Sequence, residues 1–111
     1  MKIKERTIDN LRLYHEGHIT VYFKDEETYW SFMREAKKEG YLYCGEDPME
    51  SKYNDLVGLM HGKQLFFSGM AGHMKFRSRV GHPEPYYRID YAKYIAGEED
   101  FYYHLPKKNT F

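Results

Sequence analysis

One stretch of the sequence places a strand, a helix and a second strand in succession with almost no loop between them. The first strand, HITVYF, covers residues 18–23. Its apolar residues Ile19, Val21 and Phe23 alternate with more polar ones, which is the two-residue period of a half-buried strand. The second strand, YLYC, covers residues 41–44. This order predicts a βαβ unit with a right-handed crossover and parallel strands.

The helix between these strands is DEETYWSFMREAKKEG, residues 25–40. Asp25 is a suitable N-cap, and Gly40 suits the left-handed conformation that ends many helices. Apolar side chains recur at the i, i+3, i+4, i+7 spacing, so we expect one buried stripe that packs on the sheet. The residues of the stripe are Tyr29, Phe32, Met33 and Ala36.

The segments on either side of this unit are less regular. TIDNLRLYHEGH predicts a short helix with Thr7 as its N-cap and Gly17 at its C-terminal end. Residues 45–62 fit two interpretations, an ordered loop and a helix weakened by Asn54 and Gly58. The sequence alone leaves both open.

Three later segments predict strands that extend the sheet. Two of them, near residues 64–68 and 73–80, are joined by GMAG, which has the length and the glycines of a hairpin. YYRIDYAKYI predicts a last strand near residues 86–91, turning helical near Ala92. We therefore predict one α+β domain over residues 1–111: a βαβ unit extended by antiparallel strands into a mixed sheet of about five strands, with one main helix packed on it.

Charge is balanced over the chain but uneven along it. The 17 basic and 17 acidic side chains cancel, and 18% of the residues are aromatic, which is untypical of disordered chains. Residues 56–83 contain no acidic side chain. This acid-free segment is a modest basic patch. Its charged residues are Lys63, Lys75, Arg77 and Arg79.

Basic side chains occupy every second position from residue 73 to residue 79. In a strand, residues two apart lie about 6.5 to 7 Å from each other on one face, so these side chains would form a cationic row able to hold an anion. The solvated face of an ordinary antiparallel sheet explains the same pattern, and both interpretations stay open. The candidate anion-binding or partner-binding residues are His73, Lys75, Arg77, Arg79, Tyr86, Tyr87 and Arg88.

The sequence has no pattern typical of a catalytic or metal site. The six histidines form no compact ligand set, and the single cysteine, Cys44, excludes an internal disulfide and a Cys-based zinc site. The glycines lack the spacing of a phosphate-binding loop. We expect no catalytic residue, no metal and no cofactor, and favour a non-enzymatic role. Without a signal peptide or an apolar run of membrane-spanning length, we expect a cytoplasmic protein with no membrane partner.

The 12 tyrosines are the other unusual feature of the composition. Tyrosine offers a large contact area with a polar tip at low entropic cost, which is why recognition surfaces favour it. The abundance favours at least one Tyr-lined surface, for another protein or within a homodimer. The alternative is that these side chains fill the periphery of a small core.

The order ITVYFKDEETYWSFMREAKKEGYLYCGED followed by YYRIDYAKYI resembles small, mostly uncharacterised proteins encoded by phages and prophages of Gram-positive bacteria. The similarity covers about half of the chain and rests on Gly40, Tyr41 and residues 88–95. Those members that are understood often block host defences by binding an effector or by sequestering its nucleotide signal. The resemblance implies such a role here and transfers no functional residue.

From these observations we expect a small non-catalytic binding protein, an inhibitor of a host defence protein that acts through a Tyr-rich and basic surface. Two alternatives stay open. One is a sponge for a small anionic ligand such as a nucleotide signal. The other is a protein that binds single-stranded nucleic acid, with aromatic side chains stacking on bases beside a basic groove.

Overall fold

The structure, a computed structural model, describes residues 3–78 and 84–106. Five strands form one mixed sheet, and four α-helices and one 3₁₀ helix accompany it in these residues. In chain order the elements are α1 (Ile8–Tyr14), β1 (His18–Tyr22), α2 (Glu26–Glu39), β2 (Leu42–Tyr43), the 3₁₀ helix (Pro48–Glu50), β3 (Leu56–Met60), β4 (Gln64–Phe67), α3 (Gly69–Arg77), β5 (Tyr86–Asp90) and α4 (Tyr91–Ile95).

The strands are arranged in the order β2-β4-β3-β1-β5. β3 pairs antiparallel with both β1 and β4, whereas β5 pairs parallel with β1 and β2 pairs parallel with β4. β1 and β2 therefore run parallel, as predicted, with β3 and β4 between them. The mixed five-stranded sheet confirms the predicted α+β class.

In the first half of the chain, the helix caps and the buried stripe of α2 lie where the sequence predicts them. The Asp25 carboxylate accepts a hydrogen bond from the Thr28 amide at 2.8 Å and caps α2, and Gly40 ends the helix at φ +87°. The Thr7 hydroxyl caps α1 in the same way through the Asn10 amide at 3.0 Å. The predicted stripe of α2 is fully buried in one core with α1, α4 and one face of the sheet.

Glu39 joins the end of α2 to the start of α1. Its carboxyl group accepts hydrogen bonds from the amides of Ile8 and Asp9, at 2.9 and 2.8 Å. These two amides are among those that a helix N-terminus leaves without an intrahelical partner. Burial and a hydrogen bond with Glu35, one turn earlier, raise the pKa of Glu39 to about 7. The junction between the two helices is therefore sensitive to pH near neutrality.

The predicted strand near residues 73–80 is wrong, because the described part of it belongs to α3. The GMAG segment is the first turn of this helix and not a hairpin. Among the α3 residues only Phe76 is buried, and the exposed Met74 shows that the alternation does not mark a buried strand face. Contacts outside the segment decide its conformation: Arg88 donates to the carbonyls of Phe76 and Ser78 at the end of the helix.

Two further differences concern the sheet. Residues 45–62 contain a 3₁₀ helix and β3, the middle strand, where the sequence suggested a loop or a helix. Leu56–Met60 is apolar or glycine throughout because a central strand is covered on both faces, so the two-residue alternation is missing. The last strand pairs parallel with β1 and not antiparallel, although its helical turn after Asp90 is as predicted.

The Glu39 junction leads to a prediction about pH. Because the folded-state pKa of Glu39 is raised to about 7, Glu39 binds a proton more readily in the folded protein than in the unfolded chain between pH 4.5 and 7. The stabilising contribution of Glu39 should therefore fall as pH rises through this range. His15, whose pKa is lowered by burial, acts in the opposite direction in both the wild type and the Glu35→Gln variant. In Glu35→Gln the decline should be smaller, because the second carboxylate is gone and an amide can donate to ionised Glu39.

Thermal unfolding followed by circular dichroism at pH 5, 6, 7 and 8 measures this effect. Glu27→Gln is the control, since it removes an exposed carboxylate from the first turn of the same helix. Parallel curves of Tm against pH for the wild type and Glu35→Gln would show that the Glu35–Glu39 pair does not set the pH dependence.

Candidate functional site

One face of the sheet packs against α1, α2 and α4. The opposite face carries α3 and the ring of Tyr103, whose centroid lies 4.5 Å from that of Tyr22 and 5.0 Å from that of Phe76. We call the second face the open face; it bears the side chains of His18, Thr20 and Tyr22 from β1 together with Met60 from β3. Phe76 anchors α3 there, with its ring centroid 6.3 Å from that of Tyr22. The core residues of β1 and β3 point the other way: they are Ile19, Val21, Val57 and Leu59.

A groove of about 240 Å³ lies between α3 and the open face. Its floor consists of Thr20, Gly58 and Phe66, which lie side by side across three strands. Met60 and Lys75 belong to its sides. The groove is thus an apolar depression at the middle of the sheet with an ammonium group beside it.

The groove is deep at its centre because residue 58 has no side chain. Gly58 does not adopt the left-handed conformation, and a Cβ atom built there would lie 3.7 Å from the carbonyl oxygen and 3.8 Å from the Cβ atom of Phe66. These are ordinary van der Waals distances, so the fold has room for the methyl group of an alanine. A glycine inside a strand costs about 0.5 to 1 kcal/mol relative to alanine. The structure offers no packing reason for this cost.

Large exposed apolar side chains line the groove, and two more lie elsewhere on α3. The exposed fraction is 60% for Phe67, and Met60 and Phe66 are exposed as well. Met70 and Met74 are 82% and 68% exposed but do not line the groove. Exposed apolar surface is typical of interaction sites. Methionine adapts its shape to a partner more readily than other apolar residues. This surface is consequently the best candidate for a binding site among the described residues.

Tyr86 forms the polar end of the groove. Its ring stacks on that of His18 with centroids 5.0 Å apart, and its hydroxyl lies 2.9 Å from the Thr20 hydroxyl. The Lys75 ammonium and the Arg88 guanidinium lie 5.2 and 4.9 Å from the ring centroid. The two cations and the His18 imidazole therefore all lie against the ring of Tyr86, beside the apolar floor of the groove.

The cationic row proposed from the sequence does not form. A helix turns residues two apart by about 200°, so Lys75 points to the groove while His73 and Arg77 lie on another side of α3. Those two face Asp55, at 2.7 and 4.0 Å. Arg79, the fourth member, lies outside the described residues.

The remaining predicted residues divide between the two faces of the sheet. Arg88 belongs to the open face, where it donates to α3 carbonyls at 2.6 and 2.9 Å and holds the helix in place. Tyr87 lies on the opposite face, packed against the core with its ring 4.6 Å from that of His15. Of the predicted set, the structure therefore brings Lys75, Tyr86 and Arg88 together at the groove.

The tyrosines occupy the core and its border more than the surface. Of the 12, only Tyr14 and Tyr53 are exposed. The exposed aromatic and apolar area comes instead from phenylalanine and methionine. Five tyrosines are buried, namely Tyr29, Tyr41, Tyr43, Tyr91 and Tyr94.

The sequence interpretation missed the residues that shape the groove. Gly58 and Met60 belong to the segment that fits a loop or a helix, and the sequence suggests Phe66 only as a strand residue whose ring could stack on a nucleic-acid base. A signal was present: LVGLM is a short apolar run bounded by turn-forming residues, which also fits a strand buried on both faces. A glycine in the middle of such a strand often marks a close approach by a ligand or another chain.

His73 ties α3 to the residue preceding β3. Its Nδ1 atom lies 2.6 Å from the Gly69 carbonyl oxygen and its Nε2 atom 2.7 Å from an Asp55 carboxylate oxygen. Both partners are acceptors, so the protonated imidazole, in which both ring nitrogens donate, satisfies both of them. The hydrogen bond with Asp55 accordingly raises the pKa of His73. This clamp holds the helix that forms one side of the groove.

Comparison of the chain with family models, with curated proteins and with solved structures finds no match. Within the described ranges, no helix is both long and apolar enough to cross a membrane. The same residues contain no cluster of three side chains suited to a metal ion. The open face is therefore the feature of this chain from which a function can be inferred.

The His73 clamp predicts a pH-dependent α3. Because the folded-state pKa is raised, the clamp contributes fully below about pH 6.5 and is lost as pH rises through the raised pKa. Protection of the α3 amides from hydrogen exchange should therefore be lower at pH 8.5 than at pH 6. In His73→Gln it should be low at both pH values.

Protection factors, corrected for the intrinsic exchange rate at each pH, provide the measurement. His104→Gln removes another histidine that pairs with a carboxylate, Asp100 at 2.7 Å, and should behave as the wild type. Equal protection of α3 at both pH values in the wild type would contradict the charged clamp.

Proposed function

We propose that this chain is a small non-catalytic protein that binds another protein through the open face. In this proposal an apolar side chain of the partner enters the groove above Gly58. The observation that carries it is a glycine at the centre of the middle strand, where the backbone is ordinary and the methyl group of an alanine would fit. A cost in stability without a structural reason is typical of a functional position.

Charge favours a partner with acidic groups around its apolar side chain. Lys75 adjoins the groove, and no acidic residue occurs between Leu56 and Ser78. Asp55, the carboxylate beside α3, is already occupied by His73 and Arg77. None of the described residues that line the groove is acidic, so a partner carboxylate there would meet the Lys75 ammonium without a competing anion in the lining.

The resemblance to phage-encoded proteins suggests what the partner is. We extend the proposal to a host protein, met in the host cytoplasm and inhibited by occupation of its own binding surface. A nucleotide sponge and a binder of single-stranded nucleic acid are the competing functions. Each would use the rings beside Lys75 for a base, and the experiment below separates them from a protein partner.

The test is photo-cross-linking in a Gram-positive bacterium that expresses the protein. A benzophenone amino acid replaces Phe67 at the groove in one variant and Leu13, an exposed residue of α1, in another. We expect a discrete protein adduct from position 67 only. Gly58→Val fills the groove and should reduce this adduct at least tenfold.

Gln64→Val is the matched control, because it adds the same side chain to the open face outside the groove lining. It should keep the adduct, and circular dichroism should show both valine variants folded. An adduct that persists in folded Gly58→Val, or that forms equally from position 13, would contradict the proposal. An adduct with nucleic acid would replace it with a different function.

A further inference from the structure

We propose that the groove continues into a pocket that binds a carboxylate, so that the partner carries an acidic group next to its apolar anchor. This inference rests on the protein-binding function proposed above. The pocket measures about 270 Å³. His18 and Met60 line both the pocket and the groove, which makes the two cavities neighbours with a shared wall.

Arg12 gives the pocket its charge. Only 6% of this residue is exposed, and its guanidinium donates to the carbonyl oxygens of Leu59, His15 and Gly17 at 3.0, 2.9 and 3.0 Å. No carboxylate pairs with it in the described part of the chain, and its Nε atom has no hydrogen-bond partner. Carbonyl dipoles stabilise the cation without cancelling its charge. Burial accordingly lowers the pKa of Arg12.

An uncompensated cation next to a cavity attracts an anion into it. Arg12 lines the pocket, and water screens a buried charge much less than an exposed one, so its charge acts strongly on an anion there. His61, exposed in the turn between β3 and β4, can donate the direct hydrogen bond. Glu84 also lines the pocket and opposes an anion. Glu84 is exposed, however, and its charge is weakened by solvent.

The donor set suits a carboxylate better than a phosphate. Phosphate groups are usually held by several accessible arginine, lysine or amide donors that share the charge. Here the guanidinium is occupied by carbonyl groups, and Lys75 lines the groove but not the pocket. A single negative charge from an aspartate, a glutamate or a chain terminus matches one buried cation and one imidazole.

The test compares two probes that differ only in charge. 3-Phenylpropionate and its neutral amide, 3-phenylpropionamide, are titrated into ¹⁵N-labelled protein, and chemical shifts are followed at Gly58 for the groove and at Gly17 and His61 for the pocket. We expect both probes to move Gly58. Only the carboxylate should move Gly17 and His61, and it should bind at least tenfold more tightly.

His61→Ala removes the donor without touching the core, and His104→Ala is the control at an exposed histidine elsewhere. The first should reduce the tenfold preference for the carboxylate to less than threefold while Gly58 still responds, and the second should preserve the preference. Equal affinity of the two probes in the wild type would contradict carboxylate binding in the pocket but would not affect the proposal that the groove binds an apolar group. Absence of any response at Gly58 would count against the groove as well. If adenosine monophosphate shifts the same amides and binds more tightly than 3-phenylpropionate, the proposal that the ligand is a carboxylate of a protein partner would be wrong.

Discussion

Pairing of β3 with β1 on one side and β4 on the other is the interaction on which the structure depends. The chain leaves β1, crosses the sheet through α2 and enters β2, so a gap two strands wide lies between them until β3 and β4 fill it. β3 is apolar or glycine throughout and is buried except at Met60, so it has no polar face. Its one position without a side chain, Gly58, then becomes the centre of the open face, and the groove follows from the topology.

Elements whose conformation is determined by residues close in sequence could be predicted. Elements whose conformation depends on tertiary contacts could not. The N-caps Thr7 and Asp25, the Gly40 stop and the buried stripe of α2 are short-range features that sequence spacing reveals. The end of α3 depends on Arg88, which belongs to the next strand, β5, and the alternating pattern of the segment fits a strand equally well. The basic and aromatic residue types of the site could be named in advance, whereas Gly58 could not, because its role depends on its cross-strand neighbours.

The residues that the sequence pattern groups into one cationic site have separate roles in the folded protein. His73 and Arg88 hold α3 on the open face, and Lys75 alone of the basic α3 residues adjoins the groove. Binding and architecture are thus linked, since the helix that forms one side of the groove is attached mainly through polar contacts and one buried ring, Phe76. A partner that fills the groove would add apolar contacts to a weakly anchored helix.

The central claim is that glycine at position 58 serves binding and not folding. Urea unfolding of Gly58→Ala tests it most directly. Where the backbone conformation is ordinary and space is available, replacing glycine by alanine stabilises a protein by about 0.4 to 1 kcal/mol. We predict a gain of this size in the free energy of unfolding. A loss of about 1 kcal/mol or more would show that the fold itself requires the glycine, and the groove would then be a by-product of packing.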